Sequence, residues 1–173
     1  MPVKAIAINC SLKKSSGEAS STDAMIALLK EQFAAHEVEV TETVRIADYN
    51  VLPGVTSDEG EGDDWPELRE KILAHDILIF GGPIWMGQIG SIAKRVLERM
   101  DAFLGETDEK GRMPSSGKVA VAACYWVGEA MGSVDFKELD ETPDKTIETA
   151  KMVATNASHL AKLLQGNPYP GTA

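Results

Sequence analysis

Three short runs of this chain are apolar at consecutive rather than alternate positions, and that pattern restricts the fold more than any other feature. They are residues 3–9 (Val-Lys-Ala-Ile-Ala-Ile-Asn), 76–80 (Asp-Ile-Leu-Ile-Phe) and 118–124 (Lys-Val-Ala-Val-Ala-Ala-Cys). Successive side chains of a strand point to opposite faces, so an unbroken apolar run describes a strand buried on both sides, with a layer of structure above and below it. A fourth run, residues 38–46, alternates Val and Ile with Glu and Thr and reads as a strand nearer the sheet edge. Helical spacing separates these runs. Residues 22–36 carry Met25, Leu28, Leu29 and Phe33 on one stripe. Residues 65–74, opened by Pro66, carry Leu68, Ile72 and Leu73, and residues 91–103 carry Ile92, Val96, Leu97, Met100 and Phe103. Residues 142–165 read as a last helix, with Thr142 as N-cap, Pro143 in the first turn, and Ile147, Met152, Val153, Leu160, Leu163 and Leu164 as its apolar members. Strands alternating with helices predict an α/β sandwich: one parallel sheet, right-handed crossovers, and helices on both faces. A chain of 173 residues buries one such core, so residues 1–173 read as a single domain.

Open parallel sheets bind ligands outside the carboxyl ends of their strands. The loops after Asn9, Phe80 and Cys124 emerge at that end and converge on one crevice. The first loop is rich in hydroxyls and carries two lysines: Ser11, Lys13, Lys14, Ser15, Ser16, Ser20, Ser21 and Thr22, with Ser21, Thr22 or Asp23 placed to cap the following helix. Hydroxyls, unpaired backbone N–H groups and the positive end of a helix dipole together suit a phosphate dianion. The same residues also suit a solvated loop that only caps the helix, and composition does not choose between the two. The loop is neither a Walker A sequence nor a Gly-x-Gly-x-x-Gly fingerprint. At the second strand end, Gly81-Gly82-Pro83 reads as a turn that stops the ladder, and residues 84–88 read as an apolar loop able to form a flat, dry wall.

The chain has 27 acidic and 17 basic residues, a net charge of −10, which disfavours nucleic acid and anionic membrane surfaces as partners. An anionic ligand must then be held by local donors working against the global field. The run at residues 3–9 is too short for a signal-peptide core and no stretch is long enough to span a bilayer, so the expected location is cytoplasmic, with Cys10 and Cys124 reduced. His36, His75 and His159 lie at helix ends or on a helix, with no metal-ligand spacing, and the acidic run 58–64 lacks EF-hand spacing and reads as a solvated loop. Glu129 and Asp135 stand near the crevice without marking an acid–base pair.

The loop from Asn9 through Thr22, the segment Gly82-Pro83-Ile84-Trp85-Met86-Gly87, the helix containing residues 94–99 and the Tyr125-Trp126-Val127-Gly128-Glu129 segment together resemble the flavodoxin-like NADPH-dependent FMN reductase family, over nearly the whole chain. The resemblance implies a flavodoxin-like three-layer sandwich with strand order 2-1-3-4-5 when complete. It implies FMN as cofactor and NAD(P)H as co-substrate. Ser11, Lys13, Ser20, Ser21 and Thr22 match positions that grip the FMN phosphate. Pro83, Ile84, Trp85, Met86 and Gly87 match the loop along the ribityl chain and ring. No catalytic side chain is assigned, because the chemistry belongs to flavin N5. The implied function is reduction of a flavin, quinone or similar small-molecule acceptor by a homodimer or homotetramer. A non-enzymatic FMN electron carrier, or a shortened member that no longer binds flavin, is the alternative. One departure stands out: where the family has a third flavin loop, a helix and a fifth strand, Cys124 here runs directly into Tyr125-Trp126, so four to five strands are expected.

Overall fold

The computed structural model describes residues 2–125 and 134–171; the Trp126–Ser133 stretch of the motif above, with Glu129, lies outside them. The elements are β1 (Lys4–Asn9), α1 (Ser21–Ala34), β2 (Glu39–Arg45), α2 (Trp65–Leu73), β3 (Ile77–Trp85), β4 (Gln88–Ile89), α3 (Ser91–Met100), α4 (Ala102–Gly105), β5 (Val119–Tyr125) and α5 (Asp144–Gly166). Four strands form a parallel sheet in the order β2-β1-β3-β5, and β4 folds back antiparallel on the tip of β3. This is the predicted flavodoxin-like sandwich with four long strands and one short one. Among the described residues, no strand lies beyond β5.

The runs of β1 and β3 are buried on both faces as their pattern requires, but that of β5 is not: Val119 and Ala123 are buried on one face while Ala120, Ala122 and Cys124 are exposed on the other, because among the described residues no helix covers that side. One face of the sheet carries Ala5, Ala7, Ile77, Ile79, Val119 and Ala123 under α1 and α5; the other carries Ile6, Ile8, Leu78 and Phe80 under α2 and α3. Helix α1 docks through Ile26, Leu29 and Phe33. Each such side chain, once removed from water, contributes about 1.5–3 kcal/mol, enough to fix the position of the helix N-terminus.

Several local expectations are corrected. Residues 81–83 do not stop the ladder: β3 continues through them, with Gly81, Gly82 and Pro83 paired to Ala123, Cys124 and Tyr125. A hairpin of two residues, Met86 (φ 50°) and Gly87 (φ 74°), replaces the expected apolar loop, and its positive φ angles are those of a type I′ turn. Helix α5 begins at Asp144 after Pro143, with no side-chain cap from Thr142. It buries Ala150, Ala154, Ala157 and Ala161, with Val153 and Leu164 packed partly buried beside them, while Met152, Leu160 and Leu163 are exposed. Small side chains let the helix axis approach the sheet closely, so the alanine stripe won the inward position. Leu97 of α3 is likewise exposed.

The acidic run is not wholly solvated. The Asp63 side chain is completely buried, with its Oδ2 2.7 Å from Nη2 of the equally buried Arg99 side chain. Arg99 also donates to the carbonyls of Thr56 and Leu52, both at 3.0 Å, and lies over the Trp65 ring. This cluster ties the long 49–64 segment to α3. Burial raises the Asp63 carboxyl, but Arg99 and the N–H groups of Glu59, Trp65 and Leu52 outweigh it and bring it down to about 2.

Candidate functional site

At the carboxyl ends of β1, β3 and β5 lies a cleft of about 570 Å³, within the range of small-molecule sites. Its polar end is formed by Ser11, Lys13, Ser20, Ser21 and Thr22, its apolar wall by Pro83, Ile84, Trp85 and Met86. Thus two loops separated by some sixty positions in sequence are brought together; of the ten predicted residues only Gly87, at the turn of the hairpin, does not line the cleft. Asp135 lines it as well.

The polar end is built around the start of α1. Ser20 is the N-cap, one residue before the positions expected from sequence, and forms a capping box with Asp23: the Asp23 N–H donates to Ser20 Oγ at 3.2 Å, and the Ser20 N–H donates to Asp23 Oδ2 at 2.6 Å. Ser21 and Thr22 hold the first two helical positions, where backbone N–H groups have no intrahelical acceptor. Both residues face the cleft, so the helix end presents donors and a positive dipole there. Lys13 leans back across the loop to the Ala19 carbonyl at 3.4 Å and stands 3.8 Å from Glu18.

A capping carboxylate at this place would oppose an anion, and the structure cancels it. Arg45, at the end of β2, sets Nη2 2.5 Å from Asp23 Oδ1. Its Nη1 donates to Ser11 Oγ at 3.1 Å and to the Lys13 carbonyl at 3.2 Å. Asn9, fully buried, completes the network by donating to Asp23 Oδ1 at 2.7 Å and accepting from the Ser11 N–H at 2.9 Å. Burial raises the Asp23 carboxyl, yet the bonds from Arg45 and Ser20 outweigh it and leave it below the usual carboxylate range. Asp23 therefore stays ionised and Arg45 paired, with Lys13 and the helix end left to attract an anion.

Sequence reasoning did not find Arg45 or this role of Asn9. No local signal marks Arg45, whose contacts to Asp23 and Ser11 join positions 22 and 34 residues apart, and the contact from Asn9 to Asp23 spans the whole loop, 14 positions. A lone arginine closing an otherwise Glu- and Thr-lined strand was the only hint. Gly81 is a further tight position: a Cβ there would stand 3.0 Å from Thr22 Cγ2 and 3.2 Å from Ile26 Cδ1, so a side chain would push α1 away by a few tenths of an ångström. Cys10 lies buried beneath the cleft with its thiol pushed up to about 12, first by burial and then by Cys124, which keeps it protonated and inert. Among the described residues, no group of His, Cys, Asp and Glu could hold a metal ion.

Residues 3–139 match the family of NADPH-dependent FMN reductases. The chain belongs to that family. It is 36% identical over 134 residues, 75% of its length, to a divalent metal cation transporter MntH of Mycobacterium bovis, but spans only 19% of that protein. Among the described residues no helix is long and apolar enough to cross a membrane. To the 8-demethyl-8-aminoriboflavin-5'-phosphate synthase of Streptomyces davaonensis it is 28% identical, with 98% of this chain and 81% of that one covered. That alignment runs over 212 positions, more than the 173 residues here, so parts of the synthase have no counterpart in this chain. The crystal structure of RosB with a bound 8-demethyl-8-formylriboflavin-5'-phosphate superposes with a TM-score of 0.77 at 23% identity, covering 97% of this chain and 82% of that one.

Proposed function

We propose that the cleft binds FMN and that the protein is an oxidoreductase in which reduced nicotinamide supplies electrons for a flavin, quinone or similar acceptor. The observation that carries this reading is the juxtaposition of an anion-binding helix end with an apolar wall in one cleft of suitable volume. The N–H groups of Ser21 and Thr22, the Ser11 hydroxyl and Lys13 would hold the phosphate, while Ser20, whose Oγ donates to Asp23 Oδ2 at 2.8 Å, caps the helix behind them. Residues 83–86, with Trp85 half-exposed beside the hairpin, would lie along the ring. The residues present fit the group: the neutralised Asp23–Arg45 pair leaves the polar end open to a dianion, and the β3 extension is uncharged. Bound there, the isoalloxazine would accept hydride and pass electrons on. The chain's own contribution is position and the exclusion of water on the wall side, which accounts for the absence of an acid–base pair among the described cleft residues. A relative named for a phosphorylated riboflavin derivative, and the RosB structure with such a compound bound, support a flavin phosphate as the class of ligand.

The reading includes a cytoplasmic homodimer or homotetramer working on small molecules, with no nucleic acid or membrane partner. Its test is titration of the protein with FMN by flavin fluorescence at fixed salt, followed by NAD(P)H oxidation in steady state. Saturable quenching at one flavin per chain with turnover is the expected result. Binding without turnover would make the protein an electron carrier, and no quenching would refute the reading.

A further inference from the structure

Strand β5 closes the sheet on a side left open, and its two faces are treated differently. Val119 and Ala123 point to the α1/α5 face and are buried, with Val121 partly so. Ala120, Ala122 and Cys124 point to the opposite face and are all exposed. On that same face Ile6 and Ile8 of β1 are fully covered, and Leu78 and Phe80 of β3 nearly so, by α2 and α3. The helical cover therefore ends at β3. Leu97, 43% exposed, lies on the flank of α3 away from Arg95 and Arg99, which reach Val51 and Leu52. By helical spacing that flank looks toward β5.

The main chain is open at the same place. The Val119 N–H donates to the Asp76 carbonyl, fixing the odd-numbered residues of β5 as those bonded toward β3. In a parallel ladder the alternate residues then turn their N–H and C=O outward. Those are Ala120, Ala122 and Cys124, and among the described residues no strand meets them. Protected edges carry charges, prolines or bulges; this one is Val-Ala-Val-Ala-Ala-Cys-Tyr, with none of these.

We infer that the open edge of β5 pairs antiparallel with β5 of a second copy of this chain, joining two four-stranded sheets into one across a two-fold axis at Ala122. This gives a surface to the homo-oligomer proposed above and rests on that reading. Charge selects the occupant. Each copy carries a net −10, so two copies repel except where charge is absent, and residues 119–125 are an uncharged strip. A basic partner would find no carboxylate on this strip to meet. The edge is also self-complementary: with the axis at Ala122, the Ala122 N–H and C=O exchange bonds with their own mates, and Ala120 exchanges with Cys124 of the other copy. Small side chains at all three positions let the two naked faces continue as one.

The test is the mass in solution, by sedimentation through the micromolar range, of wild type, Ala122→Lys, Ala122→Glu and their equimolar mixture. Residue 122 is exposed and bonds outward, so either variant folds, while like charges face each other across the axis. We expect wild type to assemble, each variant to weaken that step at least tenfold, and the mixture to recover it. A register check uses Ala120→Cys, which oxidation should link to Cys124 of the other copy, since bonded antiparallel pairs have Cα atoms about 5.5 Å apart. Wild type that stays monomeric refutes both the oligomer and this surface. An assembly unchanged by either charge, or no link from Ala120→Cys, refutes this surface alone.

Discussion

Replacing Arg45 with Met removes the charge from the network behind the phosphate loop while keeping a side chain of similar length. In the wild type Arg45 and Asp23 cancel. In the variant the Asp23 carboxylate remains at the helix N-terminus, beside the Ser21 and Thr22 donors. Asp23 is about a quarter exposed and Arg45 less, so the pair is partly screened. At an effective dielectric of about 20, an uncompensated charge roughly 7 Å from a phosphate dianion costs about 4–5 kcal/mol, which solvent screening of the partly exposed site roughly halves. FMN affinity should therefore fall roughly thirtyfold. The lost bonds to Ser11 and Lys13 loosen the loop and add about 1–2 kcal/mol of instability in urea, discounted for solvent access. The discriminating variant is Asp23→Asn combined with Arg45→Met, because Asn still caps a helix and the network is again neutral. Fluorescence titrations at fixed salt should show the double variant regaining most of the thirtyfold loss. Affinity unchanged in the single variant, or equally weak in the double, would refute the charge-cancellation account.

Two further outcomes follow from local geometry. The Asp63 carboxyl is ordinarily half-protonated near pH 4 when unfolded and is held at about 2 when folded. Its stabilising effect is therefore complete above about pH 4 and vanishes as pH falls through 2, amounting to at most about 2.5 kcal/mol at neutrality. Urea midpoints of wild type and Asp63→Asn should converge between these limits, and a gap that stays constant with pH would contradict the ion pair's role. Met86 sits at φ 50° with 98% of its surface exposed, strained and unpacked. Met86→Asn, giving the Asn-Gly pair preferred in type I′ turns, should raise stability by about 0.5–1 kcal/mol in the same assay; no gain would mean that Met86 is held by something beyond its own backbone.

How much of this was legible in the sequence divides along the range of the interactions. The sandwich followed from unalternating strands, although double burial holds only for β1 and β3; the same pattern in β5 did not show that one of its faces is exposed. The polar end of the cleft was legible because Ser20, Ser21 and Thr22 are consecutive and precede a helical stripe, and its apolar wall because residues 83–86 are contiguous. The errors share one cause. Gly81, Gly82 and Pro83 are poor strand formers in isolation, yet β5 lies alongside to pair with them and Thr22 fills the space a Gly81 side chain would take. Arg45 and Arg99 look like surface cations until strands and loops more than twenty positions away bring Asp23 and Asp63 to them.

Helix α5 shows the same limit and adds a step. Its sequence holds two stripes, one of alanines and one containing Met152, Leu160 and Leu163, and periodicity alone favours burying the larger. The sheet chose the smaller, because Val119, Ala123 and the α1 side chains already fill the space and only a close-packed alanine face fits over them. The face of β5 turned away from α5 has no such cover among the described residues: Ala120, Ala122 and Cys124 are exposed there. Within the described residues the exposed edge is thus uncompensated, which is the arrangement a second copy of the chain can complete and a well-shielded monomer would not retain.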